Sequence, residues 1–515
     1  MTARPPRATE ADIALLLEGT YPFVSGGVSS WTHQIIQAHP ELRFALVFLG
    51  SRRSDYPEMR YTLPPNVVHL ETHFLHDTAG EARPGAPRGR PGNTAAFADI
   101  DALHHAFRHG SSVAPATVHA ACAHLKPGGA LPEADFRHSE AAWQRITAHY
   151  RQHCADPSFV DYFWSVRIMH QPLWQLARIA DQLIPARAYH SISTGYAGFL
   201  GALLTHATGR PLILTEHGIY TKERKIDLFQ SEWISDNRNA FQRDPTELSY
   251  FRQLWIRFFE WMGRLSYDAA DPIISLYEAN RTRQIADGAA AARTQVIPNG
   301  VALERLAPLR TQRRTDGPPV LCLIGRVVPI KDVKNFIRAM RSVRTRLPEA
   351  VGWIAGPLDE DPSYVAECRN LIDSLGLGEA VRLLGMQRID TLLPKVRLVV
   401  LSSISEALPL VVLEAFAAGV PCVSTDVGAC RELIEGQDAA DRELGHAGAV
   451  VGIADPQALA DAALTLLASP ARWQAASEAG VRRVEARYSD ALMFQRYRTV
   501  YERALAPSPC KEHSP

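Results

Sequence analysis

No run in this chain approaches the roughly 20 consecutive apolar residues that a membrane-spanning helix needs, so no span is expected. The opening stretch MTARPPRATEAD has no apolar core ahead of the first strand-like segment, and no secretory leader is expected. Cysteine is sparse and scattered: seven in 515 residues, an odd number, with no C-x-x-C pair. That usage speaks against a disulfide framework and against structural zinc, and fits a reducing cytoplasm. His119, Cys122 and His124 lie close together, but no second ligand pair at zinc-site spacing accompanies them. The other histidines, His104 and His105 among them, read as ordinary surface residues. Charge of one sign is missing too, since 55 Lys and Arg balance 55 Asp and Glu. There is therefore no global electrostatic case for nucleic acid or for an anionic membrane surface.

What is present is an alternation. Short apolar, β-branched runs are followed by longer helical stretches through both halves. They include Ile13–Gly19, Arg43–Gly50, Asn66–Thr72, Pro211–Gly218 and Pro272–Tyr277 in the first half. In the second they include Val320–Arg326, Val351–Pro357, Val381–Met386, Leu398–Ser403 and Val420–Asp426. Continuous apolar strands alternating with helices imply parallel sheets covered on both faces. The polar run Leu309–Pro319 is taken as the linker, which sets an N-terminal domain at 1–308 and a C-terminal one at 309–488. A last helix is expected from Ser489-Asp490 to about Ala504, with Phe494, Tyr497 and Tyr501 on one face, crossing back to the first domain. Two segments break the pattern. Thr78–Asn93, rich in Gly, Pro and Arg, reads as a loop, and helices from about 94 to 184 form an insertion. Leu248–Leu265 is a strongly aromatic helix, assigned to the core.

The most informative stretch is SSISEALPLVVLEAFAAGVP, Ser402 to Pro421. A strand leads into a turn carrying Glu406; Pro409 then opens an apolar helix carrying Glu414, and Gly419 ends it. Glu406 thus lies before the helix, where the free backbone N–H groups and the macrodipole favour an anion. Glu414 lies about one and a half turns beyond Pro409, roughly 8 Å along the axis. Phosphates at the helix end, one acid for sugar hydroxyls and one for ribose hydroxyls would suit a nucleotide sugar. A second group, Gly325-Arg326 and Lys331-Asp332, follows the first strand of the C-terminal half, where an open sheet faces its ligand. Cations near a helix start are unfavourable unless an anionic ligand compensates them. Ser25-Gly26-Gly27-Val28, after the first strand, is either a close approach to a ligand or a tight connection; it is not G-x-G-x-x-G. His217, in Thr215–Thr221, is either a cleft residue or a satisfied core histidine. The following Lys222–Lys225 run is a solvated turn or a site for an anionic acceptor. Asp359-Glu360-Asp361 reads as an acidic first helical turn rather than a metal site.

Glu406 to Glu414, Gly325-Arg326 with Lys331, and Gly26-Gly27 resemble, in this order, the motifs of the family 4 retaining glycosyltransferases, and the resemblance covers nearly the whole chain. EGTYPFVSGGVSSW (Glu18–Trp31) and TEHGIYTKERKIDL (Thr215–Leu228) are similar more narrowly to the PelF-like glycosyltransferases of Pel exopolysaccharide biosynthesis, known from biofilms. The resemblance implies an α/β fold of the GT-B type: two Rossmann-like, doubly wound domains facing a central cleft, with the helical insertion in the first. It implies that Arg326 and Lys331 bind the donor diphosphate, Glu414 the ribose, and Glu406 the donor sugar. His217 would stand beside that sugar, and Gly26 and Gly27 would approach donor phosphate or acceptor. Many members carry glycine where Pro409 stands; proline offers no N–H, which leaves the amides of Leu410 and Val411 for the phosphates.

The reaction so implied is transfer of a hexosyl or N-acetylhexosaminyl unit from a UDP-sugar, with retention, to a growing exopolysaccharide. UDP-glucose and UDP-N-acetylgalactosamine fit equally well. The cationic side chains make a divalent metal or other cofactor unnecessary for leaving-group stabilisation. Expected partners are the UDP-sugar, a polysaccharide acceptor and inner-membrane synthase or export subunits, with no nucleic acid. The chain would be cytoplasmic, or peripheral at the inner membrane through such subunits. Two other readings stand beside this one: a family 4 enzyme acting on a lipid or small acceptor, and a non-catalytic nucleotide-sugar-binding subunit of a membrane synthase.

Overall fold

The apolar runs pair into two separate sheets, each belonging to its own compact unit. A computed structural model describes residues 6–77, 89–109, 114–156, 158–230, 234, 248–313 and 317–506. The first unit comprises Met1–Ser275, Asn280–Gln295 and Arg498–Pro515, and the second Leu276–Ala279 and Val296–Tyr497. The chain therefore enters the second unit upstream of the polar run taken as the linker. The reason is packing: Val301, Leu306 and Leu309 are buried in the second unit's core. Most of the Gly/Pro/Arg-rich Thr78–Asn93 loop lies outside the described residues.

In the first unit, β1 (Ala11–Glu18), β2 (Phe44–Gly50), β3 (Val67–Phe74), β4 (Ala186–Ser191), β5 (Leu212–Glu216), β6 (Ala270–Ser275) and β7 (Thr294–Val296) form one seven-stranded sheet. Its order is β3-β2-β1-β4-β5-β6-β7. The centre is parallel, with Leu15 of β1 opposite Leu46 of β2 and His190 of β4. Running outward on both sides of the β1–β4 pair makes this a doubly wound sheet, with its switch point between those strands. Among the described residues, five helices between Thr94 and Gln182 form the insertion, and the aromatic helix Tyr250–Ala269 packs with them. Ser249 caps that helix by accepting from the Arg252 amide, and Phe251, Trp255, Phe258, Phe259, Trp261 and Met262 are buried. The wide apolar face is core, as expected.

The second sheet contains β8 (Val320–Ile324), β9 (Val351–Ala355), β10 (Val381–Gly385), β11 (Leu398–Leu401), β12 (Cys422–Thr425) and β13 (Gly448–Val451). It runs β10-β9-β8-β11-β12-β13, with every recorded pairing parallel and the switch point between β8 and β11. Strands here are four or five residues long, and the central β8, β11 and β12 are almost wholly buried, the pattern of a sheet covered by helices on both faces. A fully buried ion pair, Arg483 with Asp441, ties the helix Pro470–Arg487 to the segment before β13. The last helix, Asp490–Leu505, begins in the second unit; its final turns, from Arg498, belong to the first. There the Tyr501 hydroxyl meets His190 Nδ1 at 2.9 Å. Among the described residues no helix is long and apolar enough to cross a membrane, and the six cysteines are unpaired.

Candidate nucleotide-sugar site

In open parallel sheets, ligands bind outside the carboxyl ends of the strands at the switch point. In the second unit the chain leaving β8 carries Gly325, Arg326 and Lys331, and the chain leaving β11 carries Ser402 to Glu406. These two loops are stitched together. Ser402 Oγ lies 3.0 Å from the Lys331 carbonyl and 2.9 Å from that of Asp332, and the Ile404 amide donates to the Ile330 carbonyl at 2.8 Å. Asp332 sits in the left-handed region, φ 41°, where it turns the chain into the helix Val333–Arg346. The result is direct contact between two residues 75 positions apart: Lys331 Nζ donates to Glu406 Oε1 at 2.6 Å. Ser403 Oγ donates to the same oxygen at 2.5 Å. Both charged side chains are largely withdrawn from solvent, 20% and 12% exposed, so the pair is held in one geometry rather than averaged over rotamers.

The turn carrying Glu406 has its own support. Thr425 Oγ1 donates to the Ser403 carbonyl at 2.6 Å, and the Ala429 amide to the Ala407 carbonyl at 2.8 Å. Gly428 is required behind it: its φ is +55°, and a Cβ there would lie 2.2 Å from the Ala407 carbonyl and 2.4 Å from that of Glu406.

The helix that follows is Leu410–Ala417, one residue later than expected, because Pro409 occupies the cap position with extended backbone. Leu410 and Val411 are then the first two helical residues, whose amides have no intrahelical acceptor. Glu414 lies one turn further on. Arg305 stands 3.6 Å from its carboxylate and 3.0 Å from Asp390. Burial raises the Glu414 carboxyl to about 6, with Arg305 opposing and Asp390 reinforcing the shift. Arg326 is half exposed and pairs with Glu360, which the sequence placed in an acidic helical turn. The helix begins only at Pro362, so the acidic cluster precedes its first turn, and Asp361 is its cap, accepting from the Tyr364 amide at 2.9 Å.

In the first unit, Gly26 and Gly27 stand at the start of the helix Gly27–Ala38, which begins two residues before the expected Ser29. Both glycines are exposed, and a Cβ on either would touch nothing, so the turn is open rather than crowded. His217 follows β5 and is 9% exposed, its ring edge-on to Trp31 with centroids 4.6 Å apart. Burial lowers its pKa to about 4, so it is neutral at physiological pH. Its Nε2 is buried without a hydrogen-bond partner among the described residues.

Two carboxylates beside these residues had no role assigned from sequence. Glu18, at the end of β1, accepts from the Tyr220 hydroxyl at 2.8 Å and from the Ala197 amide at 3.1 Å. Glu216 is fully buried and accepts from Tyr267, Gln284, Thr194 and the Tyr220 amide, which fixes the strand end that delivers His217. Tyr220 also accepts from Arg224, and Lys225 Nζ lies 2.5 Å from Glu260, so the basic run after His217 is already partly paired.

Two parallel-sheet, Rossmann-like α/β domains of this topology define the GT-B glycosyltransferase fold. The chain belongs to the family described as a domain of unknown function, DUF3492, which matches residues 11–292, and residues 318–469 match the glycosyl transferases group 1 family. An exopolysaccharide phosphotransferase of Streptomyces coelicolor is 36% identical over 164 residues, 31% of this chain and 16% of that protein. D-inositol 3-phosphate glycosyltransferase 2 of Catenulispora acidiphila is 29% identical over 261 residues, 45% of this chain and 59% of that one. The chain thus spans less than two thirds of each of these relatives. Among solved structures, Anabaena HepE in complex with UDP superposes with a TM-score of 0.55 at 15% identity, covering 96% of this chain and 100% of that one.

Proposed function

We propose that this protein is a retaining glycosyltransferase that moves a hexosyl or N-acetylhexosaminyl unit from a UDP-sugar to a growing exopolysaccharide, in the manner of the PelF-like enzymes. The observation that carries the proposal is the Lys331–Glu406 contact at the β8/β11 switch point, immediately before the helix whose first amides are those of Leu410 and Val411. In this reading Lys331, Arg326 and those amides take the diphosphate. As the bond from the anomeric carbon to the diphosphate oxygen lengthens, negative charge builds on the leaving UDP, and cations already fixed in place stabilise it without reorganisation. Glu406 passes from Lys331 to the hydroxyls of the donor sugar, and Glu414 receives the ribose hydroxyls. In the first unit, neutral His217 and the open Gly26-Gly27 turn are the groups assigned to the reaction. The complexes of HepE with UDP and with UDP-glucose support a nucleotide-sugar substrate. Synthase or export subunits at the inner membrane remain the proposed partners.

A thermal-shift panel of UDP, GDP and several UDP-sugars tests the donor. Stabilisation grows with ligand concentration over Kd, so a UDP-sugar is expected to raise the melting temperature most. A response to GDP-sugars alone would overturn the assignment.

Glu414 supplies a second, pH-dependent test. Its carboxylate form gives the stronger, charge-assisted bonds, present above about 6 and lost as pH falls through that value. The diphosphate diester of a UDP-sugar does not titrate there. Donor affinity measured by calorimetry should weaken by about 1 kcal/mol, roughly fivefold, between pH 7.5 and pH 5. Glu414→Gln should flatten the profile; an unchanged profile in that variant would remove Glu414 from the donor site.

A further inference from the structure

Between the helical insertion of the first unit and the aromatic helix Tyr250–Ala269 lies a cavity of roughly 480 Å³ whose wall is mostly apolar but carries a cluster of imidazoles and one carboxylate. Asp101 and His104 lie one turn apart on the helix Thr94–His109, and His149 comes from the helix Glu140–His153. One ligand atom from each lies within 4.8 Å of the others. His104 is therefore not the surface residue the sequence suggested; it lines the cavity, whereas its neighbour His105 is exposed.

The surroundings of this trio hold its side chains in place. The His170 Nδ1 lies 2.7 Å from the Val166 carbonyl, which can only accept, so Nδ1 carries the proton and the His170 Nε2 a lone pair. That lone pair faces His104 Nε2 at 3.1 Å. His170 thus holds the His104 ring from outside the trio. The Asp101 carboxylate divides its two oxygens. Oδ2 takes the Arg145 guanidinium, while Oδ1 faces His149 Nε2 at 3.1 Å. The His149 Nδ1 is buried with no hydrogen-bond partner among the described residues. The carboxylate, too, is oriented from outside the trio, by an arginine on its far oxygen. Such outer partners orient the ligands of metal sites.

We infer that Asp101, His104 and His149 form a binding site for a divalent transition-metal ion of the zinc type, separate from the proposed sugar-transfer chemistry. Two imidazoles and a carboxylate are a zinc-type ligand set, and three protein ligands leave a fourth position open. The 3.1 Å separation of His149 Nε2 and Asp101 Oδ1 is close to the ~3.3 Å edge of a tetrahedron with bonds of about 2.0 Å.

The test is metal titration of the full chain after stripping with a chelator, using Zn²⁺ by calorimetry and Co²⁺ by visible absorption. One equivalent per chain is expected, with tetrahedral-type cobalt bands. His104→Ala and His149→Ala should each weaken binding by 10- to 100-fold or more, and the double variant should take up none. Folding of each variant is read from its circular dichroism spectrum. Failure of the wild-type chain to take up a stoichiometric ion overturns the inference without recourse to any variant. Undiminished uptake by the folded double variant overturns it as well.

Discussion

Replacing Lys331 with alanine should lower turnover on the order of 100-fold or more while leaving the second unit folded. The size of the effect follows from where the charge is needed. A cation that meets the diphosphate equally in substrate and transition state would change only affinity; one that meets charge appearing as the bond breaks changes kcat. The proposed reaction gives Lys331 the second role, and Ser402 and Glu406 hold its backbone and its ammonium in place. The loss should therefore appear mainly in kcat, with a smaller change in KM. Glu406→Ala should also abolish transfer, since it removes both the sugar contact and the partner that holds Lys331 ready. Lys331→Ala leaves the Glu406 carboxylate, 12% exposed, with Ser403 as its remaining side-chain partner, so a modest fall in melting temperature should accompany the lost activity. Normal turnover in both variants would remove these residues from the chemistry.

The second large effect is structural. Arg483→Ala should destabilise the protein by about 3–5 kcal/mol, the range for breaking one side of a buried ion pair. Arg483 and Asp441 are wholly buried, with Nε donating to Asp441 Oδ1 at 2.7 Å. The remaining guanidinium nitrogens donate to the carbonyls of Leu433, Ile434, Asp441 and Gly445. Removing the guanidinium takes the partner of the buried Asp441 Oδ1 and one donor from each of four carbonyls, although Oδ2 keeps the Gln437 amide and the Ile434 and Asp441 carbonyls keep backbone amides. Urea unfolding followed by circular dichroism checks this through a lower midpoint at nearly constant slope. The double variant Arg483→Met/Asp441→Leu should recover much of the loss, because it removes both charges and refills the volume. A cost below about 1 kcal/mol for Arg483→Ala would contradict the reading of this pair as the clamp of that segment.

Much of this was legible in the chain because parallel sheets announce themselves. Strands buried on both faces must be continuously apolar, as in LVVL of β11 or FALVFLG of β2. β4 was missed for the converse reason. ARAYHS has no such run, and it carries two buried polar residues, His190 and Ser191; the partners of His190, Tyr501 and Thr215, are remote in sequence. The Glu406 turn and the Pro409 boundary were readable from local turn and cap chemistry. That Lys331 meets Glu406 was not, since nothing local encodes a contact across 75 residues. Glu18 and Glu216 were hidden in plain view: each stands inside a quoted motif, yet its role depends on Tyr220, Tyr267 and Gln284 arriving from elsewhere. The domain boundary was misplaced because polarity marked an exposed segment, whereas burial of Leu306 and Leu309 decides which core the chain has joined. His104 escaped notice because the partners that withdraw it from the surface, His149 and His170, lie on other helices.

The most direct test is transfer itself. The purified chain is incubated with the UDP-sugar that stabilises it most and with oligosaccharide acceptors, and UDP release is followed together with the anomeric configuration of the product by NMR. Release of UDP matched by acceptor-bound sugar with the configuration of the donor, and loss of both in Lys331→Ala, is the expected result. A product of inverted configuration, or transfer undiminished in Lys331→Ala, would contradict the account.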